Sequence, residues 1–250
     1  MRFSFTRLDT YRRCPFQYKL RYQHHLPGQP RPGTRLALAL HAALAAFYRN
    51  RPCIPYPDDL LSPFDAQWPA DISERDVRAL EEGRGLLVDY FRRQSDAWPT
   101  VRFVEEPFRL ELGRHTLVGK LDRVDELPDG SLQIVDYKTA RTPPRAPDTF
   151  QLDVYQLGLV AKTGELASRI VFEYLRHGTQ HVVEVDDRNI RPTLDRMGGV
   201  LAAVEADDAL APRTGEHCRQ CDYAAYCPAR TPQSLPIPSV APEGQLVLGL

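Results

Sequence analysis

The chain has 250 residues, of which 42% are hydrophobic, and its formal net charge at pH 7 is -1. That length is sufficient for one large domain, or for a domain with a small appendage. No stretch is apolar for long enough to span a membrane, and the first residues lack the positive–apolar–cleavage pattern of a secretion signal. We therefore expect a cytoplasmic protein that has no membrane partner.

The charge is distributed unevenly along the chain. Residues 1–51 contain ten Arg or Lys and a single acid, Asp9. Such asymmetry is typical of a basic face that could meet phosphates. A solvated, arginine-rich surface explains the same pattern equally well.

The first third of the chain predicts helices. Helical patterns cover 4–22, 34–48 and 73–97. Ser4 or Thr6 is suited to cap the first helix, Pro15 should interrupt or restart it, and Ser73 is suited to cap the third. The Pro-rich segment 52–69 is expected to be irregular.

The remainder alternates between strands and helices. Strand patterns cover 101–112, 116–127 and 131–138, with two more at 169–176 and 181–185. Helical patterns cover 150–162 and 190–206. A loop is expected at 139–147, a cysteine-bearing loop follows Pro212, and residues 232–250 are expected to form a weakly structured tail.

A β-hairpin is predicted around Pro128-Asp129-Gly130. Pro suits the second position of a type I turn, and Gly suits the left-handed position that follows. A three-residue loop centred on Asp129 would place Asp122 directly opposite Asp136. Side chains in that relation lie about 4.5–5.5 Å apart, and like charges there destabilise the pair.

A bound cation would explain two facing carboxylates. Asp122 and Asp136 would hold a divalent metal, and Lys138, two residues after Asp136, would project from the same face. This arrangement suits phosphodiester hydrolysis, in which metal and ammonium act on the phosphate and on the attacking water. Alternatively, the hairpin carries ordinary solvent-facing charges, and a slip of one residue would turn Asp122 to the other face.

Three further polar residues are candidates only in combination with the hairpin. His41 lies in an Ala/Leu-rich helix, where a lone histidine is more often a packed or surface residue than a ligand. Gln151 and Tyr155 share one helical face, because they are four residues apart. That face could return to the metal site, although Tyr155 as a core residue is the simpler interpretation.

The cysteines form a second candidate site. Cys218, Cys221 and Cys227 follow the pattern C-x2-C-x5-C, and the distant Cys14 completes a set of four. Thiolates at this spacing bind Zn²⁺ or an iron–sulfur cluster, and spacing alone does not separate the two. Unrelated reduced thiols are the alternative, and Cys53 is interpreted as free.

Six motifs, taken in order, resemble a known family. They are Ser4-x6-Tyr11-x2-Cys14-Pro15-x2-Tyr18, Gly33-x7-His41, Gly119-Lys120-Leu121-Asp122-Arg123-Val124-Asp125, Ile134-Val135-Asp136-Tyr137-Lys138-Thr139, Gln151-x3-Tyr155 and Cys218-x2-Cys221-x5-Cys227-Pro228. Together they resemble the RecB-like branch of the PD-(D/E)XK nuclease superfamily. By layout they are similar to AddB-type nuclease domains with an iron–sulfur staple and to CRISPR-associated spacer-processing nucleases.

The resemblance implies an α/β fold. Its central sheet would be mixed, restriction-endonuclease-like and flanked by helices, with the N- and C-terminal segments joined by a four-cysteine cluster. A single nuclease domain would cover residues 1–230, and 1–32 together with 207–230 would form its iron–sulfur subdomain. Residues 231–250 would remain a tail.

The resemblance also assigns the site residues. It implies Mg²⁺ or Mn²⁺ on His41, Asp122 and Asp136, with the Tyr137 carbonyl as a further ligand. Lys138 would be catalytic, together with the two aspartates and with Gln151 and Tyr155. It implies a [4Fe–4S] cluster, rather than Zn²⁺, on Cys14, Cys218, Cys221 and Cys227. Asp136 stands where many superfamily members have Glu, a replacement that is common in the RecB-like branch.

The expected function is metal-dependent hydrolysis of DNA, as an exonuclease or end-processing enzyme on single strands. It would serve DNA repair, recombination or CRISPR adaptation. Arg7, Arg12, Arg13 and Arg35 could track the phosphates. The sequence has no P-loop, so a helicase, or a repair or CRISPR-adaptation protein, would act in trans. The alternatives are a non-catalytic DNA-binding module of a helicase–nuclease complex and a zinc-stapled scaffold.

Overall fold

A computed structural model describes residues 1–29, 33–69, 73–142, 148–185, 190–231 and 233–237. The chain divides into two compact units. The first consists of Met1–Phe3 and Arg31–Met197, and the second of Ser4–Pro30 and Gly198–Leu250.

Within its described residues, the first unit contains one mixed sheet of six strands. The strands are β1 (Arg2–Phe3), β2 (Thr100–Leu112), β3 (His115–Glu126), β4 (Leu132–Lys138), β5 (Ala167–Tyr174) and β6 (Thr179–Glu184). Strand β3 pairs antiparallel with β2 and with β4, and it pairs parallel with the short β1. Strand β4 continues parallel to β5, which pairs antiparallel with β6.

Seven α-helices occur in the described ranges. They are α1 (Phe5–Arg13), α2 (Pro15–Tyr18), α3 (Thr34–Asn50), α4 (Asp58–Asp65), α5 (Glu74–Gln94), α6 (Thr149–Thr163) and α7 (Arg191–Ala206). Helices α3 to α6 belong to the first unit and α1 and α2 to the second, and the boundary between the units falls within α7. None of these helices has an apolar stretch that could cross a bilayer.

Polar side chains cap the N-termini of several helices, as the sequence predicts. Ser4 accepts a hydrogen bond from the Arg7 amide at 3.3 Å, and Ser73 accepts one from the Asp76 amide at 3.2 Å. Each satisfies an amide that has no partner within its helix. The first helix ends at Arg13, and a new one starts at Pro15, which confirms the predicted interruption.

The prediction for the Pro-rich segment 52–69 is wrong in part, because helix α4 lies within it. Leu60 and Phe64, four residues apart, are both fully buried. Asp58 and Asp59 in the first turn favour its positive N-terminal end. Burial of this short apolar face outweighs the local effect of the prolines. The strand β1, only two residues long, was not predicted.

Two other predictions fall partly outside the described residues. They concern the loop at 139–147 and the C-terminal tail at 232–250. The remaining predicted helices and strands are confirmed, with ends that differ by a few residues.

The β3–β4 hairpin has the predicted register. Arg123 pairs with Val135, and Glu126 pairs with Leu132. The turn is closed by a hydrogen bond from the Gly130 amide to the Leu127 carbonyl at 2.9 Å. Gly130 has a φ of 81°, a left-handed conformation that glycine adopts without strain. The turn residues therefore set which side chains face each other across the hairpin.

The main core of the first unit lies between α3 and the sheet. Leu40, Leu44 and Phe47 of α3 are buried with Val135 and Val171 of the central strands. His41 follows Leu40 directly, so it lies at the margin of the buried face, with 28% of its side chain exposed. Core packing thus holds one polar residue of α3 against the edge of the hairpin.

Candidate active site

His41, Asp122 and Tyr137 meet where α3 crosses the hairpin. His41 Nδ1 lies 3.3 Å from Asp122 Oδ2, and His41 Nε2 lies 3.0 Å from the Tyr137 carbonyl oxygen. The Tyr137 amide donates a hydrogen bond to the same Asp122 oxygen at 3.1 Å. Three residues that are far apart in sequence therefore share one small polar site.

Asp136 and Lys138 lie beside this group on β4. Lys138 Nζ is 2.6 Å from Asp136 Oδ2, and it donates to Gln151 Oε1 at 3.1 Å. Gln151 Nε2 donates to the Tyr155 hydroxyl at 2.7 Å, and that hydroxyl donates to Asp136 Oδ1. The polar face of α6 thus returns to the hairpin, and Tyr155 is buried yet takes part in the polar network.

Two glycines let α6 approach the sheet closely. A Cβ at Gly158 of α6 would lie 2.6 Å from ring atoms of Phe108, and a Cβ at Gly119 of β3 would overlap the same ring. The Phe108 ring therefore fills the space between strand and helix. This packing brings Gln151 and Tyr155 within hydrogen-bond distance of the β4 side chains.

The electrostatics of the site favour bound cations. Burial raises the pKa of Asp136, Lys138 acts in the opposite direction, and the charge of Asp122 raises that pKa further. Burial lowers the pKa of His41, but the hydrogen bond and charge of Asp122, with Asp136 and Glu105, outweigh burial and raise it overall. Excess negative charge thus surrounds the imidazole, where a proton or a metal ion would relieve it.

Glu105 is a member of this site that the sequence analysis missed. One ligand atom each from His41, Glu105 and Asp122 lie within 4.8 Å of one another. Glu105 is on β2 and has a φ of 52°, which is unusual for a residue other than glycine. Its position in an ordinary strand pattern gave no signal of this placement.

The donors present fit a divalent cation. Carboxylate, carbonyl and imidazole groups suit Mg²⁺ or Mn²⁺ better than a soft metal. Within the described residues, Asp136 Oδ2 is buried and has no aligned hydrogen-bond partner, since its contact with Lys138 is an ion pair. That oxygen retains the capacity to bind a ligand.

A buried network supports the hairpin from its other face. Arg123 donates to both carboxylate oxygens of Asp125, at 2.8 and 2.9 Å, and to the hydroxyls of Tyr90 and Tyr137 at 2.8 and 2.5 Å. Gln133 also donates to Asp125, at 2.8 Å. The motif residues Arg123 and Asp125 therefore anchor Tyr137, whose backbone faces His41 and Asp122.

A cleft of about 920 Å³ opens beside Lys138 in the first unit. Basic residues line part of it, namely Arg78, Arg141 and Arg176. Arg176 also donates to the Thr139 carbonyl at 2.8 Å and pairs with Glu82. No local sequence pattern marks these arginines, which are scattered over three segments.

The predicted DNA-contacting arginines have partners of their own. Arg7 donates to the Tyr18 hydroxyl at 3.1 Å and lies over the Tyr18 and Tyr22 rings. Arg12 and Arg13 lie 4.0 and 3.0 Å from the carboxylate of Asp9. Arg35, which belongs to the first unit, lies 3.8 Å from Asp76, and about half of its side chain is exposed.

The four predicted cluster cysteines lie in the second unit. Cys14, Cys218, Cys221 and Cys227 line one small cavity. Burial raises the pKa of the Cys221 thiol, the Tyr223 amide lowers it, and the other three sulfurs raise it further. The Arg213 amide donates to Cys14 Sγ at 3.5 Å. Cys53 is exposed and belongs to the first unit.

Comparisons with solved structures find matches at low sequence identity. A proposed exonuclease from Eubacterium rectale is 15% identical to this chain, with a TM-score of 0.52. The match covers 87% of this chain and 86% of that one. SSO0001 is 12% identical, with a TM-score of 0.44 and coverage of 92% and 87%. VC1899 from Vibrio cholerae is 16% identical, with a TM-score of 0.27 and coverage of 80% and 52%.

No curated protein sequence matches the chain. The family model described as the PD-(D/E)XK nuclease superfamily matches residues 2–228, a span that includes both aspartates of the hairpin and Lys138. Members of this superfamily are generally nucleases that hydrolyse phosphodiester bonds with divalent metal ions. On this match the chain belongs to the PD-(D/E)XK nuclease superfamily.

Proposed function

We propose that this protein is a metal-dependent deoxyribonuclease that processes DNA ends, with single-stranded DNA as its preferred substrate. The observation that carries the proposal is the placement of His41 and Asp122 near the Asp136–Lys138 ion pair in the first unit. These residues come from a helix and two strands; His41 and Asp122 both contact the Tyr137 backbone, and Lys138 pairs with Asp136.

In this proposal His41, Asp122, Asp136 and the Tyr137 carbonyl hold Mg²⁺ or Mn²⁺. A bound divalent ion supplies Lewis-acid activation of the phosphate and of water. Lys138 stabilises negative charge that develops on the phosphate, since its ammonium reaches the carboxylate that would lie beside the reacting atoms.

Gln151 and Tyr155 are positioning residues rather than groups that react. Gln151 accepts a hydrogen bond from Lys138 and restricts where the ammonium points. Tyr155 donates to Asp136 Oδ1 and leaves Oδ2 directed toward Lys138. Groups fixed in this way lose little freedom when the transition state forms.

The cleft beside Lys138 supports a nucleic-acid substrate. Arg78, Arg141 and Arg176 would contact the phosphates on either side of the scissile bond. Arg35 in the first unit and Arg7, Arg12 and Arg13 in the second would also contact phosphates. A helicase, or a repair or CRISPR-adaptation protein acting in trans, would supply the DNA strand.

The test is a nuclease assay on end-labelled single-stranded and duplex DNA, with Mn²⁺ and with chelator. Wild-type protein should shorten the labelled strand only when Mn²⁺ is present. Asp136→Asn, which keeps the side-chain volume, should lower the rate about 100-fold or more. Asp89→Asn on the exposed face of α5 is the matched control and should leave the rate unchanged.

Full activity of Asp136→Asn would remove the proposed site. If the wild type cuts none of the substrates but binds DNA measurably, the protein is a DNA-binding module and not a nuclease. If duplex DNA is degraded faster than single strands, the protein is a nuclease but the proposed preference for single-stranded DNA is wrong.

We also propose that Cys14, Cys218, Cys221 and Cys227 bind a [4Fe–4S] cluster, in a subdomain formed by 1–32 and 207–230. Support comes from the shared cavity, the mutual electrostatic influence of the thiols and the amide that donates to Cys14. A broad absorption near about 400 nm, with about four irons per chain, would distinguish the cluster from Zn²⁺.

A further inference from the structure

Glu105 in strand β2 has a backbone conformation that is unusual for a strand residue. Its φ of 52° lies in the left-handed region, although the residues on both sides continue the ladder with β3. Val104 pairs with Arg123 and Glu106 pairs with Leu121, so Glu105 falls opposite Asp122. A residue other than glycine persists in this conformation only where its surroundings hold it there.

The carboxylate of Glu105 turns toward the proposed metal site. Its ligand atom lies within 4.8 Å of ligand atoms of both His41 and Asp122. Only 12% of the Glu105 side chain is exposed, so the carboxylate is not simply solvated. Three elements, α3, β2 and β3, thus bring one imidazole and two carboxylates together.

Lys120 is the cation that balances Glu105. Its ammonium contacts the Glu105 carboxylate, while 50% of the Lys120 side chain is exposed. Lys120 and Asp122 are two residues apart on β3 and therefore project from the same face. A half-exposed ammonium on a flexible side chain is readily displaced by a divalent ion that competes for the same oxygens.

We propose that Glu105 is a further ligand of the divalent ion held by His41 and Asp122, and that Lys120 is its exchangeable counter-ion. Asp136 faces Lys138 and Tyr155, so Glu105 supplies the second carboxylate on the His41 side of the site. This inference deepens the proposed function, because it concerns the same ion. Metal affinity then depends on Glu105 and Lys120, two residues that lie outside the Asp136-Tyr137-Lys138 segment.

The experiment measures Mn²⁺ binding to the full chain by isothermal titration calorimetry, without DNA. Glu105→Gln should weaken Mn²⁺ binding about ten-fold or more, as expected for loss of a supporting oxygen ligand. Lys120→Met should strengthen binding, because it removes the competing cation. Glu106→Gln is the matched control, since the neighbouring Glu106 pairs with Lys162 instead, and it should bind as the wild type does.

A second variant separates ligation from a structural role. Glu105→Gly relieves the left-handed strain while it removes the carboxylate. If Glu105 is a ligand, the metal-free Tm should stay equal or rise while Mn²⁺ affinity falls. A lower metal-free Tm with unchanged Mn²⁺ affinity would make the Glu105–Lys120 pair structural and would overturn the inference.

Failure of this inference is distinguishable from failure of the proposed function. If Glu105→Gln binds Mn²⁺ with wild-type affinity and still cuts DNA, Glu105 is not a ligand and the proposed nuclease activity stands. If the wild type binds Mn²⁺ through Glu105 but cuts no DNA, Glu105 is a ligand and the proposed nuclease activity is wrong. A wild type that binds no Mn²⁺ at millimolar concentration rejects both this inference and the proposed metal site, so only the two preceding outcomes separate them.

Discussion

The Tyr137 amide donates a hydrogen bond to Asp122 Oδ2 at 3.1 Å, and this bond joins the two strands of the hairpin next to Asp136. The same Asp122 oxygen lies 3.3 Å from His41 Nδ1. One carboxylate oxygen therefore links helix α3, strand β3 and the backbone of β4. Replacement of Asp122 should disturb the contacts of all three elements.

Asp122→Asn should lower the pKa of His41. Burial alone lowers that pKa, and the hydrogen bond and charge of Asp122 are the strongest influences that raise it. With a neutral side chain at position 122, the imidazole should lose its proton at a lower pH. An NMR titration of the His41 ring in metal-free protein measures the change, and Asp89→Asn serves as the control.

Lys138→Met should lower kcat by about 100-fold or more while the protein still binds Mn²⁺. In the proposed function the Lys138 ammonium acts on the phosphate as charge develops, and its removal leaves the proposed oxygen ligands in place, although it removes the ion pair with Asp136. Single-turnover cleavage and calorimetry with Mn²⁺ measure the two effects separately. Lys162→Met on α6 is the control, and equal losses in both lysine variants would argue against a special role for Lys138.

Arg123→Met should destabilise the folded protein by about 3–5 kcal/mol, because it leaves the Asp125 carboxylate buried without its counter-ion. Only 5% of the Arg123 side chain and 1% of the Asp125 side chain are exposed. Urea unfolding, followed by circular dichroism, measures the loss. Arg102→Met removes an exposed pair with Glu126 and should cost about 1 kcal/mol or less.

Cys221→Ser should lower both the iron content and the Tm, the latter by on the order of 5 °C, if the four thiols hold a cluster that stabilises the second unit. Cys53→Ser, at an exposed position, should change neither property. Iron analysis and differential scanning calorimetry test both variants. Unaltered iron content in Cys221→Ser would show that the four-cysteine site is wrong.

Local patterns were sufficient for the hairpin and for most elements. The turn Pro128-Asp129-Gly130 predicts the register, because only a few loop lengths suit a hairpin and each one sets the pairing. Alternation of side chains then places Asp136 and Lys138 on one face. Helix α4 was missed because its stability comes from burial of Leu60 and Phe64, which a Pro-rich local sequence does not reveal.

Long-range placement could not be read from the chain. Glu105 lies in an ordinary strand pattern, and only its left-handed backbone and the approach of α3 bring it to Asp122 and His41. Arg123 and Asp125 appear in the sequence only as charged members of a motif, yet they form a buried network beneath Tyr137. Burial of a charge depends on which elements cover it, and that information is tertiary.

The sequence by itself determined the hairpin, the order of its motifs and therefore the membership of the PD-(D/E)XK nuclease superfamily. The tertiary structure decided which polar residues lie beside Asp122 and Asp136 in the candidate site. Turn geometry and side-chain alternation act over a few residues, so they are visible in the chain. The meeting of α3, β2 and α6 at the hairpin depends on packing contacts such as Phe108 against Gly119 and Gly158, which join residues far apart in sequence.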